Sequence, residues 1–296
     1  MKRLLLPLLL SAAAQAAPFE PGRVSQDAKW WLHADLDAVR NTAIGKRLVT
    51  EIEEKKGDQL NALKLMFSVN PLTDLGGITL YGNGKKDQAV ALIDGSFDRE
   101  HLEGILKAAD DFETENHGEL TVMSWTDEEK DKRQHAAFVH DDLVAFSERK
   151  PLLIEALDVF SKNNGMVADP FVADAASQPF LIGTALLGEI ELDDDESKLL
   201  GKADSLRIAL AETGERMEGR MRVEVGKSSD GLLLGKVLEG IMALASLTDD
   251  RLGDADFRNS VSTADGGKTV ECEMSMTSSG MITIMEQNGD FARIGE

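Results

Sequence analysis

The sequence predicts an α+β fold made of two similar tandem domains, each an antiparallel sheet backed by helices. Three observations lead there. The chain of 296 residues is long enough for about two ordinary domains. Alternation at strand period is clear in places: Met217, Gly219, Met221, Val223 and Val225 interleave with Arg216, Glu218, Arg220, Arg222 and Glu224. That pattern is a half-buried antiparallel strand with a charge-balanced outer face. Finally, the order strand, helix, hairpin, helix, hairpin, helix is read once in residues 28–165 and again in 166–296, as an internal duplication split near 163–178 would give.

The elements follow in order. Lys29 to Ala34 reads as a strand carrying Trp30 and Trp31, and Leu36 to Lys55 as a helix. Gly57 interrupts it, Asp58 can cap a second apolar helix through Phe67, and Asn70-Pro71 ends that. Gly77–Gly82 and Gln88–Asp94 form a hairpin around Asn83-Gly84, since Asn-Gly supplies the positive φ angles of a tight turn. Asp98 caps a helix through Lys107. Leu120–Trp125 and His135–His140 are strands on either side of a charged connection, Thr126–Gln134. Leu143–Phe146 is a short strand, and Ser147 caps the helix Pro151–Phe160, which Asn163-Asn164-Gly165 closes. In the second half the strands are Pro179–Ala185, Leu206–Leu210 and Met217–Val225. Ser228 or Ser229 then caps a helix, Leu232–Leu247. Phe257–Ala264 and Lys268–Met276 pair through Asp265-Gly266-Gly267, and Ser278 or Ser279 caps a last helix through Glu286.

Residues 1–16 have the three parts of a secretory signal peptide: basic Met1-Lys2-Arg3, the apolar run Leu4–Leu10, and Ala14-Gln15-Ala16 as an A-x-A cleavage site. The apolar run is far short of the ~20 residues that span a bilayer. Residues 17–27, with Pro18, Pro21 and Gly22, read as a flexible leader. The expectation is therefore an exported protein, periplasmic or extracellular, with no integral membrane segment after cleavage. Hydrophobic residues make up 42% and charged residues 29%, a globular composition. The net charge of −21 argues against nucleic acid and against anionic lipid held by charge. Cys272 alone cannot form an internal disulfide, and its place on the apolar phase of a strand makes it a small core residue.

The candidates for chemistry are few. His33, Asp35 and Asp37, spaced i, i+2, i+4, would share one face of a continuing strand and could hold a divalent metal. A helix beginning at Leu36 would destroy that face and make Asp35 or Asp37 a cap. Ser147 and Lys150 match Ser-x-x-Lys of penicillin-recognising enzymes, with loose echoes in Ser229-Asp230-Gly231 and Lys268-Thr269-Val270. The first echo lacks its Asn and the second its Gly. Gly82-Asn83-Gly84 leads into a strand, whereas a phosphate-binding glycine run opens a helix. His101, His117, His135 and His140 show no ligand spacing. Asp193-Asp194-Asp195-Glu196 and Asp249, Asp250, Asp254 and Asp256 read as solvated runs without the spaced oxygens of a calcium loop.

The helix Leu232–Leu247 is apolar on more than one face, and Met281, Ile282, Ile284 and Met285 repeat this on the last helix. Such surplus suits either a sandwiched helix or an apolar groove or oligomer contact. His33-Ala-Asp-Leu-Asp-Ala-Val-Arg with Ile44-Gly45-Lys46-Arg47-Leu48, and Asp142-Leu-Val-Ala-Phe-Ser147 with its helix, resemble exported proteins of unknown function from Planctomycetes and Verrucomicrobia. The resemblance implies tandem α+β units and export, and no catalytic residues. The expectation is a non-enzymatic binding or envelope-associated protein without cofactor. It would hold a protein or small-molecule ligand, or a second copy of itself, on an apolar helix surface or in the interdomain cleft. The alternative is an exported hydrolase, metal-assisted at His33/Asp35/Asp37 or serine-based at Ser147/Lys150.

Overall fold

The computed structural model describes residues 17–128, 131–167, 171, 178–191 and 201–290. The expected signal peptide and the run Asp193–Glu196 lie outside the described residues. Strand β1 (Trp30–Asp35) buries Trp31, His33 and Asp35 and leaves Trp30, Leu32 and Ala34 partly open. Asp35 ends the strand by accepting from the Ala38 amide, which starts α1 (Leu36–Asn41). The Thr42 hydroxyl does the same for Gly45 and opens α2 (Ala43–Phe67), whose helical geometry breaks at Lys56, beside Gly57. β2 (Leu75–Gly82) and β3 (Ala89–Gly95) form the expected hairpin. Its connection is longer than two residues, with Gly84 and Asp87 both at positive φ.

Asp98 caps α3 (Arg99–Leu106) through the His101 amide. β4 (Glu113–His117) is wholly polar and mostly exposed, so no hydrophobic period announces it. It pairs with β5 (Leu120–Asp127), which continues through β6 (Lys132–His140) to β7 (Leu143–Ser147). The charged connection expected at Thr126–Gln134 is largely strand, because Thr126 pairs with Arg133 and Asp127 with Lys132. α4 (Lys150–Lys162) ends on left-handed Asn163.

The second half contains β8 (Leu181–Ala185), β9 (Ala203–Thr213), β10 (Arg216–Val225), α5 (Ser228–Thr248), α6 (Asp250–Asp254), β11 (Arg258–Ala264), β12 (Thr269–Thr277) and α7 (Ser278–Asn288). Neither expected serine cap is used: α5 follows Lys227 with no side-chain cap, and the Thr277 hydroxyl accepts from Gly280 to start α7.

All strands join one antiparallel sheet in the order β11-β12-β10-β9-β8-β1-β2-β3-β7-β6-β5-β4. The two sheets expected from the sequence are thus one, because β1 pairs with both β2 and β8. On each side of that seam three strands meander outward, a helix follows, and returning strands bring the last one back beside the third: β7 beside β3, and β12 beside β10.

The main core lies under α4, where Leu153 and Leu157 meet Leu92, Leu143 and Ala145. The segment expected as a flexible leader belongs to it. The Phe19 ring stacks on Trp31 at 4.1 Å, Val24 is fully buried, and Arg23 pairs with Asp94. Proline and glycine suggested mobility, but Pro21 here opens a tight turn, Pro21–Arg23, between two apolar anchors. A second cluster sets Leu234 and Leu238 of α5 on Val223, Val225 and Val270.

Candidate functional site

The metal candidate does not assemble. His33 and Asp35 share the buried face of β1, but Asp37 lies on α1 and pairs with Arg40. His33 Nε2 donates to the Ala17 carbonyl at 2.9 Å, which leaves Nδ1 of the neutral ring to accept from Thr79 Oγ1 at 2.9 Å. Burial holds the His33 pKa below its usual value, against the Ala17 hydrogen bond and the Asp35 charge. Among the described residues no three His, Cys, Asp or Glu side chains converge to hold a metal.

Ser147 is buried and fully used, but not as a cap. Its hydroxyl donates to the Ala89 carbonyl at 2.7 Å and accepts from the Arg149 amide at 3.1 Å. Lys150 turns outward to Glu115. Cross-strand neighbours bring a Ser–His contact that sequence spacing does not show: Ser124 Oγ lies 2.8 Å from His135 Nδ1. Two of the other histidines engage separate partners, His101 the Met66 carbonyl and His117 Asp158. Of the second acidic run, Asp249 pairs with Arg251, and Asp256 with Arg216 and Arg258. These arginines hold both carboxyls below the ordinary aspartate range. Cys272 is buried, and burial raises its thiol pKa, so it carries little thiolate.

What the fold does build is an apolar depression at the seam. Register places Trp30, Ala185 and Leu206 in one row across β1, β8 and β9, and Leu32, Gly183 and Ile208 in the next row on the same face. Each row runs large, small, large. The floor on β8 is therefore low and the walls on β1 and β9 are high. The result is a depression of about 320 Å³ whose lining also includes Ile190 and holds no ionisable residue. A Cβ on Gly183 would come 2.9 Å from Leu32 Cδ1 and 3.6 Å from Ile208 Cγ1, so glycine keeps the floor open. Sequence analysis found each strand but not this pattern. The signal is a pair of small residues at i and i+2 of β8, meaningful only once β8 is known to lie between β1 and β9.

Helix α5 extends the apolar surface. Leu234 and Leu238 pack inward in the same cluster as Leu206, a wall of the depression. Leu232, Leu233, Val237, Ile241, Leu244 and Leu247 remain exposed. Spacings of three and four residues set Leu233, Val237, Ile241 and Leu244 in one stripe. The last helix does not share this character: Met281, Ile282, Ile284 and Met285 are partly covered, and α7 packs on α2, α6 and the sheet.

No protein-family model matches the chain, and no curated protein sequence matches it. Two solved structures share its fold. The structure of crystal form III of TP0453 superposes with a TM-score of 0.50 at 11% identity, covering 92% of this chain and 99% of that one. Crystal form IV of TP0453 gives 0.50 and 11%, covering 92% and 97%.

Proposed function

We propose that this chain is an exported, non-enzymatic binding protein that holds an uncharged apolar molecule in the depression at the β1–β8 seam. The observation that carries the reading is the pair of large–small–large rows, Trp30·Ala185·Leu206 and Leu32·Gly183·Ile208. An apolar lining with no ionisable group favours a hydrocarbon chain or ring and penalises a charged one through desolvation. The open stripe of α5, joined to the depression through Leu206, supports contact with an apolar envelope component during loading or release. Export rests on the n-region, apolar run and A-x-A site of residues 1–16. On both sides of the seam three strands run outward and a later strand returns beside the third, which supports descent from one duplicated unit, although four strands return on one side and two on the other. On this reading the binding cleft is the junction between the two copies. The hydrolase alternative is weaker, since Asp37, Ser147 and Lys150 are each committed to other partners.

The test is a titration of the chain beginning at Ala17 with 1-dodecanol, following tryptophan emission. Trp30→Phe isolates the signal of the one tryptophan whose ring walls the depression. A saturable blue shift that Trp30→Phe abolishes is expected. No saturable change, or a change that survives Trp30→Phe and comes from Trp31 or Trp125, overturns the proposal.

A further inference from the structure

At the end of β1 opposite the apolar depression the chain forms a second, strongly polar cavity of about 480 Å³. Its lining carboxylates outnumber its guanidiniums by five to two. Arg23 is taken by Glu20 and Asp94, and Arg40 by Asp37. Among the described residues Asp74 accepts from the Asn70 amide and the Thr73 hydroxyl. Neither Asp74 nor Asp142 has an ion-pair partner among the described residues. Asp35, at the end of β1 and cross-strand from Gly77, is 1% exposed, and its Oδ2 has no hydrogen-bond partner among the described residues. An excess of carboxylates beside a buried, unpartnered carboxylate oxygen calls for a cation.

Ala17 forms part of this same wall. Its carbonyl accepts from His33. Its Cβ sits 3.1 Å from where a Cβ on Gly77 would stand, and Gly77 is the cross-strand partner of Asp35. The point above Gly76 where a Cβ would stand is 3.5 Å from Ala17 Cβ and 3.2 Å from Asp37 Oδ2. The two glycines thus clear a seat for Ala17 beside the carboxylates. The sequence places the processing cut immediately before this residue.

We infer that the cavity is the receptor for the α-ammonium of Ala17, freed when residues 1–16 are removed. The inference rests on the export reading. Hydrolysis of the Ala16–Ala17 bond adds one water. The hydroxyl goes to the Ala16 carbonyl carbon and a proton to the Ala17 nitrogen, which takes a second proton from solvent because a free α-amine is mostly protonated below about pH 7.7–8.0. A neutral amide thereby becomes a third cation at the wall of a cavity whose two guanidiniums are already paired. Processing then narrows the excess of carboxylates over cations in the lining from five against two to five against three, and the uncut chain lacks that stabilisation.

The experiment uses the chain beginning at Ala17, its α-amine carrying ¹³C-methyl groups that preserve the charge. Its pKa is read by NMR in the folded protein and in urea. The expected result is a folded value at least one unit above the unfolded value, falling back in the Asp74→Asn/Asp142→Asn variant. Acetylation of the Ala17 amine should lower the Tm at pH 7 and leave it unchanged at pH 10, where the free amine is neutral. A folded pKa equal to or below the unfolded one, or an acetylation effect independent of pH, overturns the inference. The intact mass of the protein from its own cells tests the cut separately. A cut elsewhere refutes the processing site, while the pKa still reports whether the cavity holds an ammonium.

Discussion

Replacing Ala185 by leucine tests the depression where it is most sensitive. Ala185 is the low point of the row between Trp30 and Leu206. Leucine adds three carbons at that point, and each displaces ligand carbon that would otherwise leave water. At about 0.8 kcal/mol per methylene the loss is roughly 2.4 kcal/mol, or about 60-fold in Kd. The new side chain enters open space in the depression, so stability should move by no more than about 0.5 kcal/mol. Isothermal titration with 1-dodecanol gives the affinity, and urea unfolding gives the stability. Unchanged affinity in a fully folded Ala185→Leu protein would refute the assignment of the seam as the site. A large fall in stability would show that the depression is already filled by the chain's own side chains.

Three further outcomes follow from the same structure. His33 is neutral in the fold with its pKa held below 6.5 by burial, so the unfolded chain protonates first as pH falls. Stability should therefore be full above pH 6.5 and decline from there down to the lowered pKa, by at most about 1.4 kcal/mol per pH unit for this one proton. His33→Gln should flatten that slope in urea titrations at several pH values, and an unchanged slope would contradict it. Ser147→Ala leaves the Ala89 carbonyl without its hydroxyl donor and should lower the urea-unfolding free energy by about 1–3 kcal/mol; a change below about 0.5 kcal/mol would show that this hydrogen bond does not hold β7 to β3. Exchanging Val237, Ile241 and Leu244 together for serine should shorten retention on an apolar chromatography resin with circular dichroism unchanged. Loss of helical signal would mean that this face is packed rather than open.

The period-2 pattern is enough to find β10 and β12, since in each one face is apolar and the other is not. Caps at Asp35 and Asp98 were readable for the same local reason: a short acidic side chain stands directly before an apolar helix. Local signals fail where pairing decides. β4 is Glu-Thr-Glu-Asn-His, an edge strand that needs no apolar face. Ser228, Ser229, Ser278 and Ser279 look like caps, but Lys227 and Thr277 hold those positions, because the helices start at Ser228 and Ser278, ahead of their first apolar residues Leu232 and Met281. The candidate site was less legible still. His33 and Asp35 drew attention because their side chains are reactive, yet His33 is spent on Ala17 and Thr79, and Asp35 caps α1 through Oδ1. Gly183 and Ala185 drew none, although their smallness makes the cavity, because smallness counts only between two tall neighbours and those neighbours are distant in sequence. The surplus of apolar residues on α5 was visible at once, since no pairing partner is needed to see that a helix has too many leucines for one core face.

The most direct test of apolar binding is native mass spectrometry of the mature chain purified from its own cells, beside its Ala185→Leu form. The expected result is an apolar molecule bound one-to-one on the natural chain, displaced by 1-dodecanol and much reduced on Ala185→Leu. A bare natural chain that takes up neither 1-dodecanol nor an apolar extract of those cells would contradict a binding role for the seam.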